Sequence, residues 1–200
     1  MDLSYFRLHS LAFKARYDPA FLLFDRTGEF WHELRSEHPT LKMAQVHPNR
    51  LVAVIDRQTQ ITLELERVVV EHYSLSAARL EGCVALCDTI LSRAISTLEL
   101  SIFNRLGVRL IYRLACRNKQ ESSDALLGLG LLKVPDGKHF GIAGKATGPH
   151  YAIRWEGDTL GVQVNLRTQE RKMQVEPPIG DPIFEKIDQE LFDSDFDIDY

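Results

Sequence analysis

Hydrophobic and polar positions alternate with a period of two over residues 104–117. Side chains of a β-strand point alternately to its two faces, so Leu106, Val108, Leu110, Tyr112, Leu114 and Cys116 share one side. Arg105, Gly107, Arg109, Ile111, Arg113, Ala115 and Arg117 share the other. A different period precedes this strand. Leu80, Cys83, Val84, Cys87, Ile90, Leu91, Ala94, Ile95 and Leu98 recur at spacings of three and four, which predicts a helix. Its apolar stripe is wide enough to lie across a sheet, and Ser76 is the expected N-cap.

The remaining pattern predicts more strands than helices. Residues 3–13 alternate as a strand with Phe6, Leu8 and Ala12 on one side. Asp18-Pro19 opens a helical segment, because proline suits the first helical turn. Its apolar positions are Phe21, Leu22, Phe24, Phe30, Trp31 and Leu34, with a break expected at Gly28 and an end at Pro39. Residues 42–47, 51–55 and 60–73 read as antiparallel strands joined at Pro48-Asn49 and Asp56-Arg57-Gln58. Further on, 125–132 reads as a short helix, 134–137 as a turn and 141–149 as a loop. Residues 151–155 and 160–166 flank Glu156-Gly157-Asp158 as a hairpin. A strand at 171–175, a short helix at 181–192 and an alternating acidic segment at 195–200 complete the chain. The expected class is α+β: an antiparallel sheet or partly closed barrel with a long helix packed on it, arranged as a single domain. The pattern also allows two strand-helix-strand halves divided near Ser101.

Composition narrows the setting. A hydrophobic fraction of 44% with 26% charged residues is that of a globular protein, and a net charge of −4 speaks against a generic nucleic-acid coat protein. The signs are segregated, however. Residues 105–119 hold Arg105, Arg109, Arg113, Arg117 and Lys119 and no acid, whereas 185–200 are dominated by Asp and Glu. Such asymmetry implies a local anion site or two segments that neutralise each other. An odd count of cysteines (Cys83, Cys87, Cys116) and the lack of a basic-then-apolar opening predict a reducing, cytoplasmic location. No apolar run approaches the roughly 20 residues of a membrane helix, so no membrane partner is expected.

Over residues 104–113 the chain resembles a sporadically distributed prokaryotic α+β protein family of uncharacterised function. Its members carry a strand of the form Ile/Leu-Gly-Leu-Arg-Tyr-x-Asn and a late acidic strand similar to Phe196-Asp197-Ile198-Asp199-Tyr200. The helix at 80–98 sits where that family places its middle helix. The resemblance implies an α+β fold and transfers no catalytic residue. The family's patchy distribution implies an association with mobile or defence genes.

Candidate chemistry centres on the arginines. Arg105, Arg109, Arg113 and Arg154 form a candidate anion site for phosphate, nucleotide or nucleic acid, because guanidinium forks match phosphate oxygens. The alternative is that Arg109 and Arg113 pair across strands with Glu64, Glu66, Asp197 or Asp199. Glu64-Leu65-Glu66-Arg67 resembles the paired glutamates with which triphosphate-tunnel enzymes hold a divalent metal. Val68 stands where those enzymes carry lysine, so Glu64 and Glu66 are weak metal candidates and no metal or other cofactor is expected. The seven histidines are scattered, and no nucleophile elbow, Walker loop or Rossmann glycine pattern occurs. Phe21, Phe24, Phe30 and Trp31 supply core or a face for a protein partner. With no complete catalytic constellation, the leading expectation is a non-catalytic interaction protein, an accessory subunit of a prokaryotic, defence-type multi-protein system. The alternative is binding or processing of a phosphorylated ligand on the arginine face.

Overall fold

β-branched residues in strands joined by two- and three-residue turns build the sheet on which the candidate site stands. The computed structural model describes residues 6–73, 75, 79–131, 148–175 and 187–199, of which 169–175 and 187–199 are described by backbone alone. Apart from a few residues at the chain ends, these fall into two compact units, Leu8–Leu110 and Ile111–Ile198.

In the first unit, β1 (Arg7–Tyr17), β2 (Lys42–His47), β3 (Arg50–Ile55), β4 (Thr59–Glu64), β5 (Arg67–Tyr73) and the start of β6 (Phe103–Cys116) lie in the order β2-β3-β4-β5-β1-β6. The pairings β2–β3, β3–β4, β4–β5 and β5–β1 are antiparallel. Strand β2 stands at the outer end of this order, so the sheet is open rather than a closed barrel. The β3–β4 turn places Asp56 (φ 51°) and Arg57 (φ 59°) in the left-handed region, and the Gln58 amide donates to the Ile55 carbonyl at 3.2 Å. Positive φ at Asp56 and Arg57 lets the chain reverse within the three residues between Ile55 and Thr59.

The register separates an oily face from a charged one. Ala15, Val68, Leu63 and Leu51 stand side by side across four strands, and all are buried. Helix α1 (Leu23–Glu37) and helix α2 (Leu80–Leu98) pack on each other, and α2 also packs on β5. They bring Leu23, Phe30, Leu34, Cys83, Cys87, Ile90, Ala94 and Leu98 into the core. Each large apolar side chain buried this way contributes about 1.5–3 kcal/mol. Glu99, in the left-handed conformation (φ 52°), ends α2. Its amide donates to the Ile95 carbonyl and so satisfies one of the last orphan acceptors.

The second unit contains helix α3 (Lys119–Gly128) and strands β7 (His150–Glu156), β8 (Gly161–Val175) and β9 (Ile187–Asp199), with β8 between β9 and β7. β7 and β8 form an antiparallel hairpin, and α3 packs on β8 through the buried Leu126 and Leu166. Asn118 caps α3 by accepting from the Glu121 amide at 2.9 Å, while the Glu121 carboxylate accepts from the Arg117 amide at 2.7 Å. This reciprocal cap starts the helix six residues before the expected 125.

The other differences also have local causes. The strand expected over 60–73 is two strands, folded back at Leu65-Glu66 and closed by the Glu64–Arg67 pair. Gly28 does not break α1, because Phe30 and Leu34 beyond it are anchored in the core and outweigh about 1 kcal/mol of glycine cost. In β1 the buried positions are Leu8, Leu11, Ala15 and Tyr17, and Ala12 falls on the charged face. Residues 187–192, expected to be helical, belong to β9, and 171–175 are the end of β8. Ser76, the 134–137 turn, residues 141–147 and Tyr200 lie outside the described residues. Among the described residues no helix is long and apolar enough to cross a membrane.

Candidate functional site

One residue along from the buried row, the same four strands carry Arg16, Arg67, Glu64 and Arg50 side by side. The next rows on this face are Lys14, Val69 and Thr62, then Ala12, Glu71 and Gln60. With Arg105, Gly107 and Arg109 of β6, these side chains line a cavity of about 430 Å³. Six cations (Lys14, Arg16, Arg50, Arg67, Arg105 and Arg109) face it, against the two carboxylates of Glu64 and Glu71.

Glu64 is the internal counter-ion. Arg67 Nε donates to its Oε2 at 2.5 Å and Nη2 to its Oε1 at 3.0 Å, while Arg50 Nε lies 3.3 Å from Oε1. The Arg67 hydrogen bonds hold the carboxyl below its usual range, helped by the charges of Arg67, Arg50 and Lys14 and opposed by burial. The same bond raises the Arg67 pKa further. Lys14 is shifted the other way: burial lowers its pKa first, and the positive charges of Arg16, Arg67 and Arg105 lower it further, against Glu64. Among the described residues, positive charge thus outweighs negative charge around Lys14. Gln60 Nε2 donates to Glu71 Oε2 at 3.4 Å on the same face.

The backbone beneath these charges is pinned from the core side. Tyr17 Oη donates to the Glu64 carbonyl at 2.8 Å, and the Tyr17 amide donates to the Glu66 carbonyl at 3.1 Å. The Tyr17 ring is buried and meets Phe103 edge-on, with centroids 6.3 Å apart and planes at 86°. Burial, then Glu64, raises the Tyr17 pKa, so its hydroxyl stays protonated as a donor. Asn104 Nδ2 donates to Asp18 Oδ1 at 2.9 Å, which fixes the backbone just before Arg105.

Of the residues expected at the anion site, Arg105 and Arg109 line this cavity. Arg113 and Arg154 belong to the second unit, where Arg154 is exposed and its Nε lies 2.6 Å from Glu156 Oε1. Glu64 and Glu66 do not share a strand face, because Glu66 sits exposed in the β4–β5 turn. Glu64 is engaged by two guanidiniums, and among the described residues no group of three or more His, Cys, Asp or Glu side chains is placed to hold a metal. The side chains of Asp197 and Asp199 lie outside the described residues.

The aromatic candidates divide as well. Phe30 is fully buried and unavailable to a partner, and Trp31 is half-buried. Phe21 and Phe24 remain 67% and 50% exposed. Sequence reasoning missed Lys14, Arg16, Arg50 and Arg67. The alternation Lys14-Ala15-Arg16-Tyr17 held a usable signal, since it places two cations opposite two buried side chains.

The fold and the site together define an α+β protein with a cation-lined sheet face. No protein-family model matches the chain, and no curated protein matches it.

Proposed function

We propose that this protein is a non-catalytic binding protein for a phosphorylated anion, held on the charged face of the first unit. The observation that carries this reading is that Lys14, Arg16, Arg50, Arg67 and Arg105 line one concave cavity, against Glu64 and Glu71 among the described residues. Like charges held this close cost stability, and an anion that binds the folded state recovers it. Guanidinium forks meet phosphate oxygens in pairs, which gives orientation as well as affinity. Glu64, the acid nearest these cations, is occupied by Arg67 and Arg50, which favours a binding role over proton transfer. Calorimetric titration with inorganic pyrophosphate tests the reading. Saturable binding that weakens with salt and disappears in Arg105→Gln/Arg109→Gln supports it, and binding unchanged in that variant refutes it.

A second reading is favoured by the exposure of Phe21, Phe24 and Ile102 on the same unit. Phe21 and Ile102 line a groove of about 370 Å³ with Leu100 and the acids Asp18, Asp25 and Glu99. In this reading an accessory subunit contacts a protein partner through the groove while the sheet face holds the anion. A photo-cross-linker at Phe21 should then capture one defined protein from the native cell, and Ile102→Asp should abolish that product. Capture that persists in Ile102→Asp refutes the contact. The three free cysteines support a cytoplasmic setting for both readings.

A further inference from the structure

We infer that the ligand is a sugar phosphate, with its single phosphate in the charged cavity and its hydroxyls in a second hollow beside it. This rests on the anion-binding function proposed above and names the class of anion. The different charge of the two hollows leads there.

The second hollow, of about 320 Å³, is lined by Arg16 and Tyr17 at the end of β1 and by Asn104 at the start of β6. Glu64, Glu66 and Arg67 around the β4–β5 turn complete its described lining. Arg16, Glu64 and Arg67 also line the charged cavity, so one ligand reaches both.

The charged cavity is matched to one phosphate. Glu64 already engages Arg50 and Arg67, whereas among the described residues no carboxylate forms an ion pair with Lys14, Arg16 or Arg105. After burial, the charges of Arg16, Arg67 and Arg105 lower the Lys14 pKa, so these cations gather around one point. A phosphomonoester offers three terminal oxygens to the three cations that lack an acid.

The second hollow suits neutral hydrogen-bonding groups instead. Its described charges balance, with Arg16 and Arg67 against Glu64 and Glu66. Glu66 is exposed in the turn, and among the described residues no donor engages its carboxylate. Asn104 commits Nδ2 to Asp18, which leaves its Oδ1 as an acceptor, while Arg16 supplies donors. A hydroxyl both donates and accepts, so adjacent hydroxyls of a sugar use acceptors and donors together. A base finds no face to stack on. Tyr17, the one aromatic side chain among the described lining residues, is 3% exposed and packs edge-on against Phe103.

Calorimetric titration of the full chain with ribose 5-phosphate, glucose 6-phosphate, propyl phosphate and phosphoethanolamine tests the inference. Propyl phosphate has the same phosphate and no hydroxyls. The tighter of the two sugar phosphates should bind about tenfold more tightly than propyl phosphate, as for one added hydrogen bond to a charged group. Glu66→Ala should abolish that preference while leaving propyl phosphate binding unweakened. Lys14→Gln should weaken the sugar phosphate and propyl phosphate alike, with circular dichroism verifying that each variant is folded. Equal binding of sugar and propyl phosphates, a preference that survives Glu66→Ala, or tighter binding of phosphoethanolamine overturns the sugar assignment and leaves anion binding intact. Binding of none of the four overturns both.

Discussion

Arg67 closes the β4–β5 turn by donating two hydrogen bonds to Glu64, at 2.5 and 3.0 Å, across a two-residue connection. The pair serves two ends at once. It replaces the glycine or asparagine signal that such a turn usually carries, and it sets a carboxylate among cations that would otherwise repel.

This pair makes stability depend on acidity. Because the folded-state pKa of Glu64 is depressed, its contribution is complete above the ordinary carboxylate value and is lost as pH falls through the depressed one. Urea unfolding of the wild type should therefore lose stability below about pH 4.5, the range where unfolded carboxylates titrate. Glu64→Gln should flatten that loss and cost about 1 kcal/mol at pH 7, a modest figure because the Arg67 side chain is 39% exposed. A pH profile identical to the wild type would remove Glu64 from this role.

Tyr17→Phe isolates the hydroxyl beneath the site. The change keeps the buried ring and its contact with Phe103 but removes the donor to the Glu64 carbonyl. The expected loss is about 1 kcal/mol in the free energy of unfolding by urea, as for a part-buried hydrogen bond.

The two phenylalanines of the first helical region should behave oppositely. Phe30→Ala empties a fully buried site and should cost about 3–5 kcal/mol, whereas Phe21→Ala, at a position 67% exposed, should change the thermal midpoint little. Similar losses at both positions would mean that the core is wrongly assigned.

Thiol chemistry should follow burial. Burial, with Cys83 beside it, pushes the Cys87 thiol up to about 12, and burial also raises Cys83. At pH 8 a thiol reagent should modify the half-buried Cys116 first and the other two only on unfolding, as peptide mapping would show.

The legible parts of the fold were those with an uninterrupted period. The 80–98 helix and the 104–117 strand each repeat one spacing over many residues, and both elements are present, with Arg105 and Arg109 of β6 lining one cavity. The apolar row of that strand is not a buried one, since Leu106 is 56% exposed and no β6 residue is buried. The turn at Leu65-Glu66 contains no glycine, proline, asparagine or aspartate, so nothing local marked it, and two strands read as one. Missing that turn hid Arg67, whose partner Glu64 was read toward Glu66 and a metal. Arg50 and Lys14 reach the cavity only through the register of strands far apart in the chain, which no local pattern contains. Helix α3 begins at a cap formed by Asn118 and Glu121, ahead of the apolar residues from which its start was judged.

The most direct test of the cation-lined face is binding of inorganic pyrophosphate followed across ionic strength. The wild type should bind saturably, with an affinity that falls steadily as salt rises, because each cation-phosphate contact exchanges bound small ions. Lys14→Gln/Arg105→Gln should lose most of both the affinity and the slope. Binding that is insensitive to salt, or equal in the variant and the wild type, would contradict the account.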